Sequence, residues 1–200
     1  MNDNNRAIFF SRSNSKWGAF SNFSKFTITY GGNVYKTSEN LFQACKCIDP
    51  AQVAQFAPLE PGAAKKLGRR VQLRSDWEQV KVNSMLFVLR LKAEQNPEWR
   101  KLLLESGTRL LVENTTGWND NCWGRAFNCV HKLGKNYLGL CLMRVRAEQS
   151  GNPMITFASS VGDIEMNIIE NFDELVMFST NRAINFSKNY DWLYKNGCFE

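Results

Sequence analysis

The 200-residue sequence contains one histidine, His131. Multi-histidine metal sites are thereby excluded. A Ser-His-Asp or Cys-His engine would rest wholly on one residue of a glycine-bearing loop. The six cysteines, Cys45, Cys47, Cys122, Cys129, Cys141 and Cys198, contain no Cys-x-x-Cys pair. Cys45 and Cys47, two apart on a helix, point their side chains away from each other, so no structural zinc site is expected. No apolar run is long enough to cross a bilayer. The first residues, Met1 to Arg6, lack the apolar core of a signal peptide. These absences predict a cytoplasmic protein with reduced, mostly packing cysteines. Its acid–base chemistry falls to carboxylates.

What is present is ordinary for a globular chain: 44% hydrophobic and 22% charged residues. The length allows one domain with a sizeable core, or one domain with an appendage. A formal net charge of +6 permits an anionic partner, either a phosphorylated ligand or nucleic acid. The clearest basic cluster is Lys65-Lys66-Leu67-Gly68-Arg69-Arg70, with Arg74 nearby. It reads either as a phosphate site or as a helix end whose cations complement the dipole.

The stretch Lys36 to Lys46 organises the reading. Thr37 or Ser38 can cap a helix, which places Glu39 in the first turn, where the dipole favours a carboxylate. At ~100° per residue, Glu39, Gln43 and Lys46 share one face. Leu41, Phe42, Cys45 and Ile48 line another that suits packing. The polar stripe is either a solvated surface or a site carrying an acid, an amide and a base.

Along the chain, residues 7–10 read as a short buried strand. Phe20 to Phe23 is either a turn or a ligand wall in which Asn22 fixes polar atoms beside a ring face. Phe26 to Tyr30 alternates as a strand, turned by Gly31-Gly32-Asn33. Helices are expected over 50–57 behind an Asp49-Pro50 cap, from Pro61 to Gly68, and from a Ser75/Glu78 capping box to Gln95. In the last of these, Val80, Ser84, Phe87 and Leu91 form the core face. Trp77 in its first turn is either core or a ligand platform. Further elements are a helix from Pro97 to Leu104, a strand over 109–113 and an amphipathic helix from Tyr137 to Glu148. The loop 114–135 contains Asp120 and Trp123, and long loops in compact domains tend to be functional. Asp120 by itself reads as a turn residue. Gly151-Asn152-Pro153 marks a boundary before an apolar-rich C-terminal segment.

Several short motifs recur in order: Ser21-Asn22-Phe23, Thr37-Ser38-Glu39 followed by Phe42-Gln43-Ala44 and Lys46, Gly68-Arg69, Asp76-Trp77-Glu78, Leu111-Val112-Glu113, Asp120 with Trp123-Gly124, and Gly134 with Asn136, Leu138 and Gly139. Each is weak alone. Their order and spacing over residues 8–148 resemble the NADAR family, also called YbiA-like. The resemblance implies a mainly helical α+β domain over 7–149, with a small N-terminal β-hairpin region and a C-terminal appendage over 150–200.

It also implies an enzyme that hydrolyses an N-glycosidic bond, without metal or redox cofactor. Members of the family are linked to phosphoribosylamino-pyrimidine intermediates of riboflavin synthesis, or to ADP-ribose and NAD derivatives, including ADP-ribosylated guanine in nucleic acid. Carried over by motif, Glu39, Asp120 and Trp77 are the catalytic set. Ser21, Asn22, Phe23, Gln43, Lys46, Lys66, Arg69, Trp123 and Arg125 bind substrate, and Glu39 and Asp120 face one pocket. Glu39 would meet positive charge on the sugar in an oxocarbenium-like transition state. Trp77 would stack on the base, and Lys66, Arg69 or Arg70 would pair with phosphate oxygens. Arg125-Ala126 stand where some members have Asp-Gly, which turns the expectation toward a more anionic, ADP-ribosyl substrate and away from the riboflavin branch. A non-catalytic ADP-ribose- or nucleotide-binding module and a nucleic-acid-associated protein are the alternatives.

Overall fold

A computed structural model describes residues 7–14, 16–127 and 134–151 of the chain. His131, Cys129, Cys198 and the C-terminal appendage beyond Gly151 lie outside the described residues. Those residues form an α+β structure, mainly helical, with six helices and two two-stranded sheets. They divide into two compact units, 7–24 with 96–151 and 25–95. No described helix is long and apolar enough to cross a membrane.

The first unit is built on β1 (Ala7–Phe10) and β4 (Leu110–Glu113). They pair in parallel, Ala7 opposite Leu110 and Phe10 opposite Glu113. Ile8 and Phe10 are buried and Phe9 is exposed, the period-two pattern of a half-covered strand. A 3₁₀ turn, Trp17–Phe20, places Phe20 edge-on to Phe10 and to Trp99, with centroids 5.8 and 6.3 Å away. The Trp99 indole donates to the Ala19 carbonyl at 2.8 Å. Trp99 lies on α5 (Pro97–Glu105), which packs on α6 (Tyr137–Ser150). Arg146 of α6 is buried at the C-terminal end of α5, donating to Ser106 Oγ at 2.7 Å and the Arg109 carbonyl at 2.9 Å. Burial, reinforced by neighbouring Arg109, pushes its pKa down to about 10; the carbonyl end of the helix dipole is its compensation.

The second unit opens with the hairpin β2 (Ile28–Tyr30) and β3 (Asn33–Tyr35). Gly31 and Gly32 both take positive φ, 54° and 71°, as a two-residue hairpin turn that matches strand twist requires. Four helices follow: α1 (Ser38–Ala44), α2 (Pro50–Ala54), α3 (Pro61–Leu67) and α4 (Trp77–Gln95). Asp49 caps α2 as its sequence predicts, accepting from Ala51 N at 2.9 Å. That helix ends at Ala54, short of the expected 57. The α4 start also differs from expectation. Its first turn closes on the Asp76 carbonyl rather than on Ser75. Arg74 grips the Asp76 carboxylate with two bonds, of 2.5 and 3.0 Å. Glu78 pairs outward with Lys81 instead of reaching back as a capping box would. Phe87 and Leu91 are half-buried, while Met85, Leu86, Val88 and Leu89 carry the α4 core. α4 is covered on more than one side, so a single stripe understates its buried face.

Both sheets have an edge occupied by a side-chain amide. Gln95 donates to the Thr29 carbonyl at 2.9 Å and accepts from Thr29 N at 2.7 Å. Asn136, in left-handed backbone (φ 56°), donates to the Leu111 carbonyl at 2.8 Å and accepts from Glu113 N at 3.1 Å. Each substitutes for a missing strand.

Lys92 is fully buried on α4 with its ammonium 5.2 Å from the Phe26 ring centroid, and burial pushes its pKa down to about 7. The unfolded lysine keeps its proton to about 10.4. Between those values the unfolded chain binds more protons, so this group makes stability rise with pH from about 7 toward 10. Urea midpoints at pH 7, 8 and 9 should climb for the wild type, with Lys92→Met climbing less. Equal slopes for the two proteins would mean that Lys92 stays charged inside the fold.

Candidate functional site

Every residue of α1 is buried. The polar stripe is therefore not a solvated face: Glu39 and Gln43 are each 4% exposed. Asn40 explains how so polar a helix is held inside. Its amide donates to the carbonyls of Phe56 and Leu59, at 2.9 and 2.8 Å, and it accepts from the Thr37 hydroxyl at 2.6 Å. Thr37 occupies the N-cap, but its hydroxyl serves Asn40 and not a backbone N–H. The spacing Thr37-x-x-Asn40 is that of a capping box, a signal the sequence held. Ile48, expected on the packing side, is 60% exposed because the helix stops at Ala44 and the chain turns.

Glu39 starts the helix, as its position in the sequence predicts. Gln43, one turn on, donates Nε2 to Glu39 Oε1 at 2.8 Å. Lys46 lies beyond the helix end, and its Nζ donates to the Gly68 carbonyl at 3.1 Å. The ammonium also stands 5.7 Å from the Trp77 ring centroid. Burial lowers the Lys46 pKa; the Glu39 carboxylate opposes that shift, and Lys65 and Arg69 reinforce it. A carboxylate and an amide on α1 thus come together with an ammonium just past its end and two further cations at the end of α3. Arg69 and Lys66 are exposed. Trp77 is 7% exposed and packs on Phe42, centroids 5.4 Å apart. Its ring is largely taken by Phe42 and Lys46, so it works as a wall that fixes Lys46 rather than as an open platform.

The other residues carried over by motif belong to the first unit. Ser21 and Asn22 are buried and Phe23 is half-buried. Ser21 Oγ accepts from Phe23 N at 3.3 Å, so Ser21 makes the local turn. Asp120 Oδ1 accepts from Cys122 N and Trp123 N, both at 2.9 Å. That carboxylate oxygen shapes the loop. The carbonyls of Cys122 and Trp123 in turn take the Tyr137 and Leu138 N–H groups, at 3.2 and 3.0 Å, satisfying the open start of α6. Trp123 meets Tyr137 edge-on at 6.2 Å. Arg125 Nε donates to the Gly134 carbonyl at 3.1 Å.

The four described cysteines, Cys45, Cys47, Cys122 and Cys141, are thiols and not disulfides. Burial raises the Cys47 thiol pKa, which keeps it protonated and inert. Among the described residues no group of three or more His, Cys, Asp or Glu side chains is placed to hold a metal ion.

The NADAR domain model matches residues 8–149. This chain belongs to the NADAR family. N-glycosidase YbiA of Escherichia coli is 39% identical over 144 residues, 70% of this chain and 87% of that protein. The NMR structure of E. coli YbiA superposes with a TM-score of 0.64 at 37% identity, covering 73% of this chain and 86% of that one. N-glycosidase Npun_R5314 of Nostoc punctiforme is 36% identical over 147 residues, 70% of this chain and 91% of that protein. Riboflavin biosynthesis protein VVA0006 of Vibrio vulnificus is 33% identical over 144 residues, 70% of this chain but 38% of that protein. As a NADAR protein the chain is an enzyme of the N-glycosidase group.

Proposed function

We propose that the chain hydrolyses the N-glycosidic bond of an ADP-ribosyl or ribosyl-phosphate compound, with Glu39 as the group that meets the charge forming on the sugar. The observation that carries this reading is the environment of Glu39: a buried carboxylate at a helix start, with one oxygen held by an amide and the Lys46 ammonium close enough for their charges to interact. In the step proposed, the bond from C1′ to the base nitrogen breaks and its electron pair leaves with the base. Positive charge develops on C1′ and the ring oxygen. A fixed carboxylate is worth most there, since it needs no reorganisation as the charge appears. Water then bonds to C1′ and gives up a proton, which Glu39 can accept and pass on to the departing base nitrogen, so that the free base and the ionised carboxylate are both restored. Arg69, exposed and close enough to Lys46 to act on its charge, and Lys66, exposed at the end of α3, are suited to phosphate oxygens, the Arg69 fork bidentately.

A riboflavin-intermediate substrate is the second reading. The name of the Vibrio relative favours it; Arg125-Ala126 in place of Asp-Gly argue against it. Nucleic acid carrying the ADP-ribosyl group is the partner that the +6 charge suits. The described cysteines, thiols that are mostly buried, suit a cytoplasmic setting.

The test is a chromatography and mass-spectrometry panel: NAD, ADP-ribose, ADP-ribosylated guanine nucleosides and oligonucleotides, and phosphoribosylamino-pyrimidines. Release of free base from an ADP-ribosyl compound is expected. Release only from the pyrimidines would move the chain to the riboflavin branch. Tight binding with no release from any compound would make it a binding module.

A further inference from the structure

Gln43 is arranged against its own hydrogen-bonding interest. Its Nε2 serves Glu39, but its Oε1 is buried and has no hydrogen-bond partner. A buried orphan acceptor is a standing cost to the fold, and such a group in a native site calls for a reason. The amide cannot be turned over to relieve it, since that would set Oε1 against the Glu39 carboxylate. What holds Oε1 in place is shape. A Cβ on Gly68 would lie 1.9 Å from Gln43 Oε1 and 2.8 Å from its Cδ. Gly68 has an ordinary helical φ of −62°, so this position does not need glycine for its backbone. It needs glycine for the space that Gln43 occupies.

We infer that Gln43 and Gly68 are a positioning pair: the bare Cα of Gly68 seats the Gln43 amide so that its N–H fixes the Glu39 carboxylate. Gln43 then acts through Glu39 and not on the substrate, which changes the role its place on the polar stripe suggested. The pairing also gives a physical reason for glycine in the Gly68-Arg69 motif. Any side chain at 68 displaces Gln43 and weakens a hydrogen bond that positions the Glu39 carboxylate and favours its ionised form. This inference rests on the reading of Glu39 as the catalytic carboxylate.

The test is a double-mutant cycle of Gly68→Ala and Gln43→Ala, read as kcat, KM, the pH–rate profile and the thermal midpoint. Each single change should lower kcat by about 10- to 100-fold with little effect on KM, and move the acid limb of the profile to higher pH. In the Gln43→Ala background, Gly68→Ala should add almost nothing, because the space it fills is already empty. Equal losses from Gly68→Ala in both backgrounds, or an unmoved acid limb in either single variant, would overturn the pair. If Gly68→Ala does not fold, Gln43→Met keeps Gly68 and tests the acid limb alone. If Glu39→Gln keeps full activity, the catalytic reading fails. Coupling in the thermal midpoints would still show whether the two residues share one space.

Discussion

Glu39→Gln should reduce kcat by about 10²- to 10⁴-fold on the substrate that the panel identifies. The substitution removes the charge and keeps the size and shape of the side chain. The new amide oxygen can still accept from Gln43 Nε2, now 2.8 Å from Glu39 Oε1, so the helix packing survives. The thermal midpoint should therefore stay within a few degrees of wild type. KM should change little, because a neutral ground-state sugar gains little from a carboxylate that an oxocarbenium-like state needs. Glu39→Asp is the companion variant. It keeps the charge but draws it back by one methylene, and displacement on that scale is worth about 100-fold. Single-turnover rates for the three proteins separate chemistry from release. Undiminished turnover by Glu39→Gln would remove Glu39 from the reaction.

The local features of the fold were legible in the sequence where backbone chemistry dictated them. Gly31-Gly32 set a hairpin, Asp49-Pro50 started a helix, and Pro61 and Pro97 opened two more. The parallel pairing of β1 with β4 was not legible, because about a hundred residues separate the strands and neither has a partner near it in sequence. Ile48 failed because the helix stops at Ala44, before reaching it, and the solvated reading of the Glu39 stripe failed for a different reason. Periodicity assigns one buried face to a helix, whereas α1 is surrounded, and Asn40 satisfies the backbone carbonyls that this burial would otherwise leave open. Glu39 and Gln43 were picked out by their shared face, and the bond between them spans one helical turn. Gly68 was visible as part of a motif, but its reason was not, since a glycine required for another residue's side chain leaves no local signal. Buried Lys92 and Arg146 were also missed. Both sit in apolar helices where a long cationic side chain reads as a snorkelling surface residue.

Gly139→Ala should destabilise the protein by about 3 kcal/mol or more, against what helix chemistry alone predicts. Gly139 lies inside α6, where alanine normally gains about 1 kcal/mol over glycine. Here a Cβ would stand 2.0 Å from the Leu111 carbonyl oxygen and 2.4 and 2.7 Å from the two amide atoms of Asn136. Neither neighbour can yield without loss. Leu111 is held in β4 by its register with Ile8, and the Asn136 amide is already bonded to Leu111 and Glu113 along the strand edge. The helix would have to lift from the strand, undoing the cover that completes the β1–β4 sheet. Gly62→Ala is the control. It lies in the first turn of α3, with nothing within 4 Å of a new Cβ, and should be neutral or stabilise by about 0.5 kcal/mol. The same chemical change, measured by urea unfolding in both proteins, should then carry opposite signs. If Gly139→Ala proved as stable as wild type, α6 would not press on β4 as described. The glycine in that last motif would then need a functional reason rather than a packing one.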